Sequence, residues 1–444
     1  MKRIIASILV TSMLAAGLAG CTANQTAPSG SSGQESMSAD PAGTGTDHSG
    51  ATVTLRMTLW DKSNTQYAQP LIDAYEARNP DVKIEVMDIS SAEYQDKISV
   101  MLSGGDDCDI ITIKDIPGYT ALITKSQLEP LDSYVDAAAL DLSVYSGVTD
   151  ELTYEDNLYS IPFRNDFWIL YYNKDIFDEA GVEYPSNDMT WEEYETVART
   201  LTSGEGAGKV YGTYHHFWRS VTQLPAVQDG KNSIISADYT FLTDRYEMIC
   251  KMQDDGITMD FGEIKAGNIH YSGVFFNEQT AMMPMGSWFI GTLIAKIKEG
   301  EADMNWGIVK LPHMTGVEPG TTAGNLTALA INKNSKNKEE AWKFMEFYCG
   351  PEGAKVLADT GAMPAIRDEA VIDIISSMDG FPADSNSKGA LETATIRLEL
   401  PIHNRVTMID QVLSEEHELI MTKSSSIEEG IANMNKRVGE LLQQ

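Results

Sequence analysis

Residues 161–175 read IPFRNDFWILYYNKD. From Phe167 to Tyr172 the side chains are aromatic or branched and apolar without a polar alternate, the pattern of a strand covered on both faces. Asn173 interrupts the run and suits the cap of a short helix over 173–180, which Gly181 ends. A buried strand that feeds directly into a helix is an α/β unit, and the spacing places the start of a second lobe near Pro162.

On the N-terminal side the same alternation repeats. Val53 to Leu59 alternates as a strand, a helix runs from about Leu71 to Arg78 and stops at Asn79-Pro80, and Val82 to Ile89 is a second strand. Ser90 and Glu93 have capping-box spacing, Gly104-Gly105 closes the helix they open, and Cys108 to Ile113 is a short buried strand. This predicts a first lobe with a mainly parallel sheet. On the C-terminal side, Thr190 with Glu193 and Ser426 with Glu429 are further capping boxes. Helices are expected near 240–255, 338–349, 351–360 and 405–422. A chain of 444 residues exceeds what one hydrophobic core usually serves, so two lobes are expected.

The chain opens with Lys2-Arg3, an apolar stretch from Ile4 to Ala19, and Leu18-Ala19-Gly20-Cys21. This is the form of a secretory signal peptide, too short and too rich in Ser and Thr for a spanning helix. Residues 22–50 are almost all Thr, Ser, Gly, Ala, Pro, Gln and Asp with little to bury, a linker composition. The chain as a whole is strongly acidic: 65 Asp and Glu stand against 33 Lys and Arg, a formal charge of −32. Such a surface disfavours nucleic acid and anionic lipid as partners. Cys108, Cys250 and Cys349 are scattered in apolar contexts and read as buried free thiols, with no metal spacing.

Three tempting motifs fail. Gly204 to Lys209 lacks the spacing and the Ser/Thr of a phosphate loop. His215 and His216 are adjacent, so on a strand they face opposite sides. Asp106-Asp107-Cys108-Asp109 lacks the oxygen spacing of a calcium loop. One further stretch, AMMPMGSW at 281–288, reads as a strand, a Ser cap at Ser287, and a helix opening on Trp288. A ring in that place either lines a cleft or plugs the base of a helix.

In order along the chain stand Leu59-Trp60-Asp61, the LIDAYEARNP of 71–80, the IPFRNDFWILYYNKD of 161–175, Met189 to Tyr194 and AMMPMGSW. Val309 to Pro312, the NKEEAWKF of 337–344 and Gly361 to Pro364 follow. This ordered set resembles the extracellular solute-binding proteins of carbohydrate ABC transporters, the maltose-binding-protein-like family, over essentially everything from residue 52 onward. Likewise Leu18 to Cys21 resembles a lipobox, with Cys21 as the site of lipid attachment.

The resemblance implies a periplasmic-binding-protein-like α/β fold, type II-like, with two lobes joined by a hinge of several chain crossings. Those crossings are expected near 164–166, 305–309 and 331–337. The division is then 1–20 signal peptide, 21–51 lipidated linker, 52–164 with 308–335 as lobe 1, and 165–307 with 336–444 as lobe 2. Expected ligand-binding residues sit at corresponding strand ends: Trp60, Asp61, Asn64, Asp115, Asp166, His216, Trp218, Trp288 and Asn325, with Trp288 as a sugar platform. Asp61 and His215 are the least secure, because neighbours could fill their roles. No catalytic residue, metal or cofactor is expected. The implied partners are a carbohydrate, of di- or oligosaccharide size, and the permease subunits of an ABC importer. Membrane contact is expected through the lipid only, on the outer face of the bacterial cytoplasmic membrane, and a monomer is expected. Two other readings fit the same residues: a lipid-anchored glycoside hydrolase or lyase, and a binding protein for a non-sugar solute.

Overall fold

Strand β4 (Ile161–Asn173) has different neighbours along its two halves. The structure is a computed structural model that describes residues 52–443 apart from Ser63, Asn64, Gln66 and Ala92; the leader, the linker with Cys21, and Asn64 lie outside the described residues. Eight further strands surround β4: β1 (Val53–Trp60), β2 (Val82–Ile89), β3 (Ile110–Ile113), β5 (Tyr211–Thr213), β6 (Thr280–Gly286), β7 (Trp306–Lys310), β8 (Thr321–Ile331) and β9 (Thr395–Leu398). They run in the order β2-β1-β3-β8-β4-β6-β5, with β9 beside β8 and β7 beside β4.

The first half of β4 pairs antiparallel with β8, from Ile161 opposite Leu329 to Phe167 opposite Gly324. The register slips between Pro162 and Arg164, where the proline has no N–H to give to the ladder. From Trp168 onward the partners are β6 on one side and β7 on the other. On either flank the sheet is parallel: β1 with β2 and β3, and β5 with β6. Every residue of β4 except Arg164 is buried, which is why its sequence runs apolar instead of alternating.

Two of the three capping boxes form. Thr190 with Glu193 and Ser426 with Glu429 exchange both bonds. The Ser90 and Glu93 pair does not: Glu93 itself occupies the cap position of the helix Tyr94–Ser103, and its carboxylate pairs with Lys97 at 2.9 Å. Ser287 is likewise at the cap of the helix Trp288–Lys298 without capping it, since its hydroxyl is used elsewhere.

Two of the expected boundaries, 164/165 and 307/308, fall inside paired strands. Residue 308 lies inside β7, which pairs along its length with the second half of β4. Within 336–444, the helix Lys338–Cys349 packs toward the N-terminal side, Phe344 meeting Tyr75 edge-on at 5.0 Å and Trp342 meeting Tyr134 at 5.5 Å. The later helices, Val406–Met421 and Ile427–Leu442, pack on each other and on Arg219–Gln223 and Thr243–Asp254. The amphipathic pattern shows that a helix is covered, not by what.

Cys108, Cys250 and Cys349 are free, and burial raises their thiols, Cys108 to about 12 and Cys250 to about 11, which disfavours the thiolate. Among the described residues no helix is long and apolar enough to cross a membrane.

Candidate ligand-binding cleft

The change of partners along β4 puts Trp168 at the start of its second half, level with Gly286 at the end of β6. Trp288 follows two residues later, and its ring lies over Gly286, where a Cβ would stand 1.9 Å from it. Only glycine admits the ring in this position. Trp218, just before the helix Arg219–Gln223, completes a group of three. Trp168 and Trp288 meet edge-on at 5.8 Å, Trp218 and Trp288 are tilted at 6.2 Å, and Trp168 and Trp218 are edge-on at 6.3 Å. Trp168 is buried, whereas Trp218 and Trp288 are partly exposed, and the Trp288 indole N–H donates to Tyr271 Oη at 3.2 Å.

These rings form one wall of a cleft of about 480 Å³. Its polar wall comes from the helix Arg219–Gln223, from Val406–Met421 and from Glu399, just beyond β9. Arg219 is buried and holds Asp410 at 2.5 Å. Glu399 donates its backbone N–H to Gly324 of β8 at 2.9 Å, which anchors its position. Burial pushes the Glu399 carboxyl above its ordinary range, with Arg219 pulling it down and Asp410 adding to the rise.

A second hollow of about 150 Å³ shares Glu399 and is otherwise lined by Asp115, Ile116, Pro117, Gly324, Asn325 and Leu400. A third, of about 320 Å³, contains Trp60, Asp61, Tyr67, Ser91 and Arg164. Asp166 connects the first and third. One carboxylate oxygen accepts from the Ser287 hydroxyl at 3.0 Å, beside Trp288, and the other pairs with Arg164 at 2.5 Å.

The residues expected at a binding site therefore fall in several places. Trp218 and Trp288 share the large cleft, Asp115 and Asn325 share the small hollow, and Trp60 and Asp61 share the third. Asn325 is exposed, in a strand whose other residues are buried. Asp115 and Asp61 already serve the backbone: Asp115 caps the helix Ile116–Thr124 through Gly118 N–H at 2.7 Å, and Asp61, in the left-handed region at φ 40°, accepts from Ser91 N–H at 2.9 Å. Asp166 has both oxygens engaged. His216 is buried behind Trp218, with ring centroids 4.5 Å apart and Tyr214 Oη 3.0 Å from Nδ1. His215 points to another neighbourhood, where its Nε2 meets Tyr194 Oη at 2.7 Å.

Of the cleft lining only Trp218 and Trp288 belong to the sequence-based set; Trp168, Arg219, Glu399 and Asp410 are among the residues it lacks. Trp168 and Arg219 stand beside residues that were singled out. Glu399 and Asp410 reach the cleft from a distant C-terminal segment and carry no local signal.

This architecture agrees with the comparisons. The bacterial extracellular solute-binding protein family matches residues 61–355. A sugar transporter from Rhizobium etli, solved in an open conformation, is similar to this chain at 46% identity and a TM-score of 0.86, over 87% of this chain and 99% of that one. The sugar-binding protein MalE of Xanthomonas citri superposes with a TM-score of 0.73 at 21% identity, over 88% and 98% of the two chains. A lactose-binding protein of Rhizobium radiobacter is 22% identical over 69% of this chain and 74% of its own length. With its match spanning well over half of the sequence, on a fold of the same kind, the chain belongs to the bacterial extracellular solute-binding proteins.

Proposed function

We propose that this protein is the receptor of a carbohydrate ABC importer. It holds a di- or oligosaccharide between two lobes that close about β4 and β8, and it delivers the sugar without chemical change. The observation that carries this reading is the trio of Trp168, Trp218 and Trp288 around a cleft of about 480 Å³ with a polar wall opposite. A sugar ring has an apolar C–H face and a rim of hydroxyls, so flat indole faces with carboxylate and guanidinium groups at the side match both. The similarity to the Rhizobium etli sugar transporter, over nearly the whole of that chain, supports the same ligand class.

In this reading the lobes meet where β4 changes partners. Trp60 and Asp61 lie on the first lobe, Trp218 and Trp288 on the second, and Asp115 with Asn325 beside Glu399 lies between. Asp166 and His216 act from behind, Asp166 by fixing Ser287 and Arg164, and His216 by backing Trp218. Cys21 carries a lipid that keeps the protein on the outer face of the cytoplasmic membrane, near its permease.

A thermal-shift screen with mono-, di- and oligosaccharides tests the reading. A ligand at 100 times its dissociation constant adds about 2.7 kcal/mol to the stability of the folded state. At least one carbohydrate should raise the unfolding midpoint and be recovered intact after prolonged incubation. If no carbohydrate shifts the midpoint, the receptor reading fails; if the sugar is cleaved, the protein is a glycoside hydrolase or lyase instead.

A further inference from the structure

Tyr271 is not one of the side chains that line the large cleft, yet it touches both of the partly exposed tryptophans there. Its hydroxyl accepts the indole N–H of Trp288 at 3.2 Å, and its ring meets Trp218 edge-on at 5.9 Å. The same ring meets Phe289, the residue after Trp288, at 5.3 Å, and His216, which backs Trp218, at 5.4 Å. Tyr271 opens the short helix Tyr271–Phe276, where His270 Nδ1 accepts the Ser272 N–H at 3.3 Å. The phenol is therefore delivered by an element that carries none of the cleft lining. The other edge of Trp288 is fixed as well, because its six-membered ring lies on Gly286, where no side chain fits. With contact at one edge and a hydrogen bond at the other, the indole is held from both sides. Its N–H is its only polar group, and Tyr271 takes it, so what remains for a ligand is the apolar face.

We propose that Tyr271 is a positioning residue for the sugar platform: it sets the Trp288 face in the ligand-free cleft, so that a sugar meets a ring already in place. This rests on the carbohydrate reading above and adds the group that prepares its central side chain. A ring that must be ordered by the ligand subtracts its ordering cost from the affinity, whereas a ring held in advance does not. Burial raises the Tyr271 phenol, so near neutral pH it remains an uncharged hydroxyl able to accept from Trp288. The ring of Tyr271 packs and its oxygen positions, and Tyr271→Phe removes the second without the first.

The test is a double-variant cycle read by calorimetry on wild type, Tyr271→Phe, Trp288→Phe and the pair together, with glucose, maltose, lactose, mannobiose and maltotriose as probes. For a sugar that binds, Tyr271→Phe should weaken affinity roughly 2- to 10-fold, the scale of ordering one side chain on binding. Trp288→Phe keeps a ring but has no N–H, so adding Tyr271→Phe to it should change affinity no further. In the ligand-free protein, the indole N–H resonance that disappears in Trp288→Phe identifies Trp288, and it should shift in Tyr271→Phe. Equal affinity in Tyr271→Phe and wild type, whatever happens to the unfolding midpoint, would reduce Tyr271 to a packing role and leave the carbohydrate reading standing. The same loss in the Trp288→Phe background, or an unmoved indole resonance, would overturn Trp288 as the group through which Tyr271 acts. If none of these sugars binds the wild-type protein, the platform and the carbohydrate reading fall together.

Discussion

The hydroxyl of Ser287 lies 3.0 Å from a carboxylate oxygen of Asp166, joining two positions 121 residues apart in sequence. The same hydroxyl accepts from the backbone N–H of Phe167 at 3.2 Å, and the other Asp166 oxygen is held by Arg164. Ser287 therefore gives up the role of helix cap to fasten the entry to Trp288 onto β4 at the point where that strand changes partners. Both carboxylate oxygens of Asp166 are thus engaged within the protein, next to the entry to Trp288.

Removing one side of that junction should cost stability as well as binding. Asp166→Ala leaves the buried end of Arg164 without its partner and should destabilise the protein by about 3 kcal/mol or more, the scale for breaking a buried pair. Ser287→Ala removes a neutral donor and should cost about 1–2 kcal/mol. Denaturant titration of the two variants checks the order, and equal effects would show that the ion pair adds nothing to the junction.

Trp288→Ala separates a cleft residue from a structural plug. The ring is partly exposed, so truncation should cost sugar affinity by about 2–4 kcal/mol, roughly 30- to 1000-fold, and stability by less. The two quantities are read from calorimetry and from the unfolding midpoint of the ligand-free variant. A core tryptophan would behave the other way, losing ~3–5 kcal/mol of stability with affinity nearly intact.

Three buried histidines make stability fall with acid. Burial lowers His215 from 6.5 to about 3, His216 to about 4 and His417 to about 3. Between about pH 6.5 and 4 the unfolded chain therefore binds protons that the folded protein refuses. Stability is full above pH 6.5 and declines below it, by up to about 1.4 kcal/mol per pH unit for each histidine. Glu399, raised by burial, works in the opposite direction and is outnumbered. Denaturation midpoints at pH 7.5, 5.5 and 4.5 should fall in that order, and a flat profile would mean that the histidines are protonated in the folded state.

How much of this was legible in the sequence depended on whether the signal was local. The aromatic run of β4, the Thr190 and Ser426 capping boxes, and a Gly-Ser-Trp junction that places a ring at a helix start are short-range patterns, and each forms. The partners of Asp166 and the cleft carboxylates Glu399 and Asp410 come from segments far apart in the chain. Their meeting depends on strand pairing such as Glu399 with Gly324, which no window of sequence contains. Ser90 and Glu93 mark the opposite case, in which a good local pattern does not form: the helix starts later than the box requires, with Glu93 at its cap.

Cys21→Ala addresses the anchor. If Cys21 carries the lipid, the variant should leave the membrane fraction or retain its leader, because one sequence feature supplies both processing and attachment. Detergent-dependent membrane attachment of the variant, unchanged from wild type, would contradict the assignment.

The central claim is capture of a carbohydrate between closing lobes, and small-angle scattering of the protein with and without a saturating sugar tests it most directly. A ligand that touches both lobes only when they are together shifts the population toward the closed form. The account predicts a smaller radius of gyration with the sugar bound. An unchanged radius in the presence of a sugar that measurably binds would contradict it.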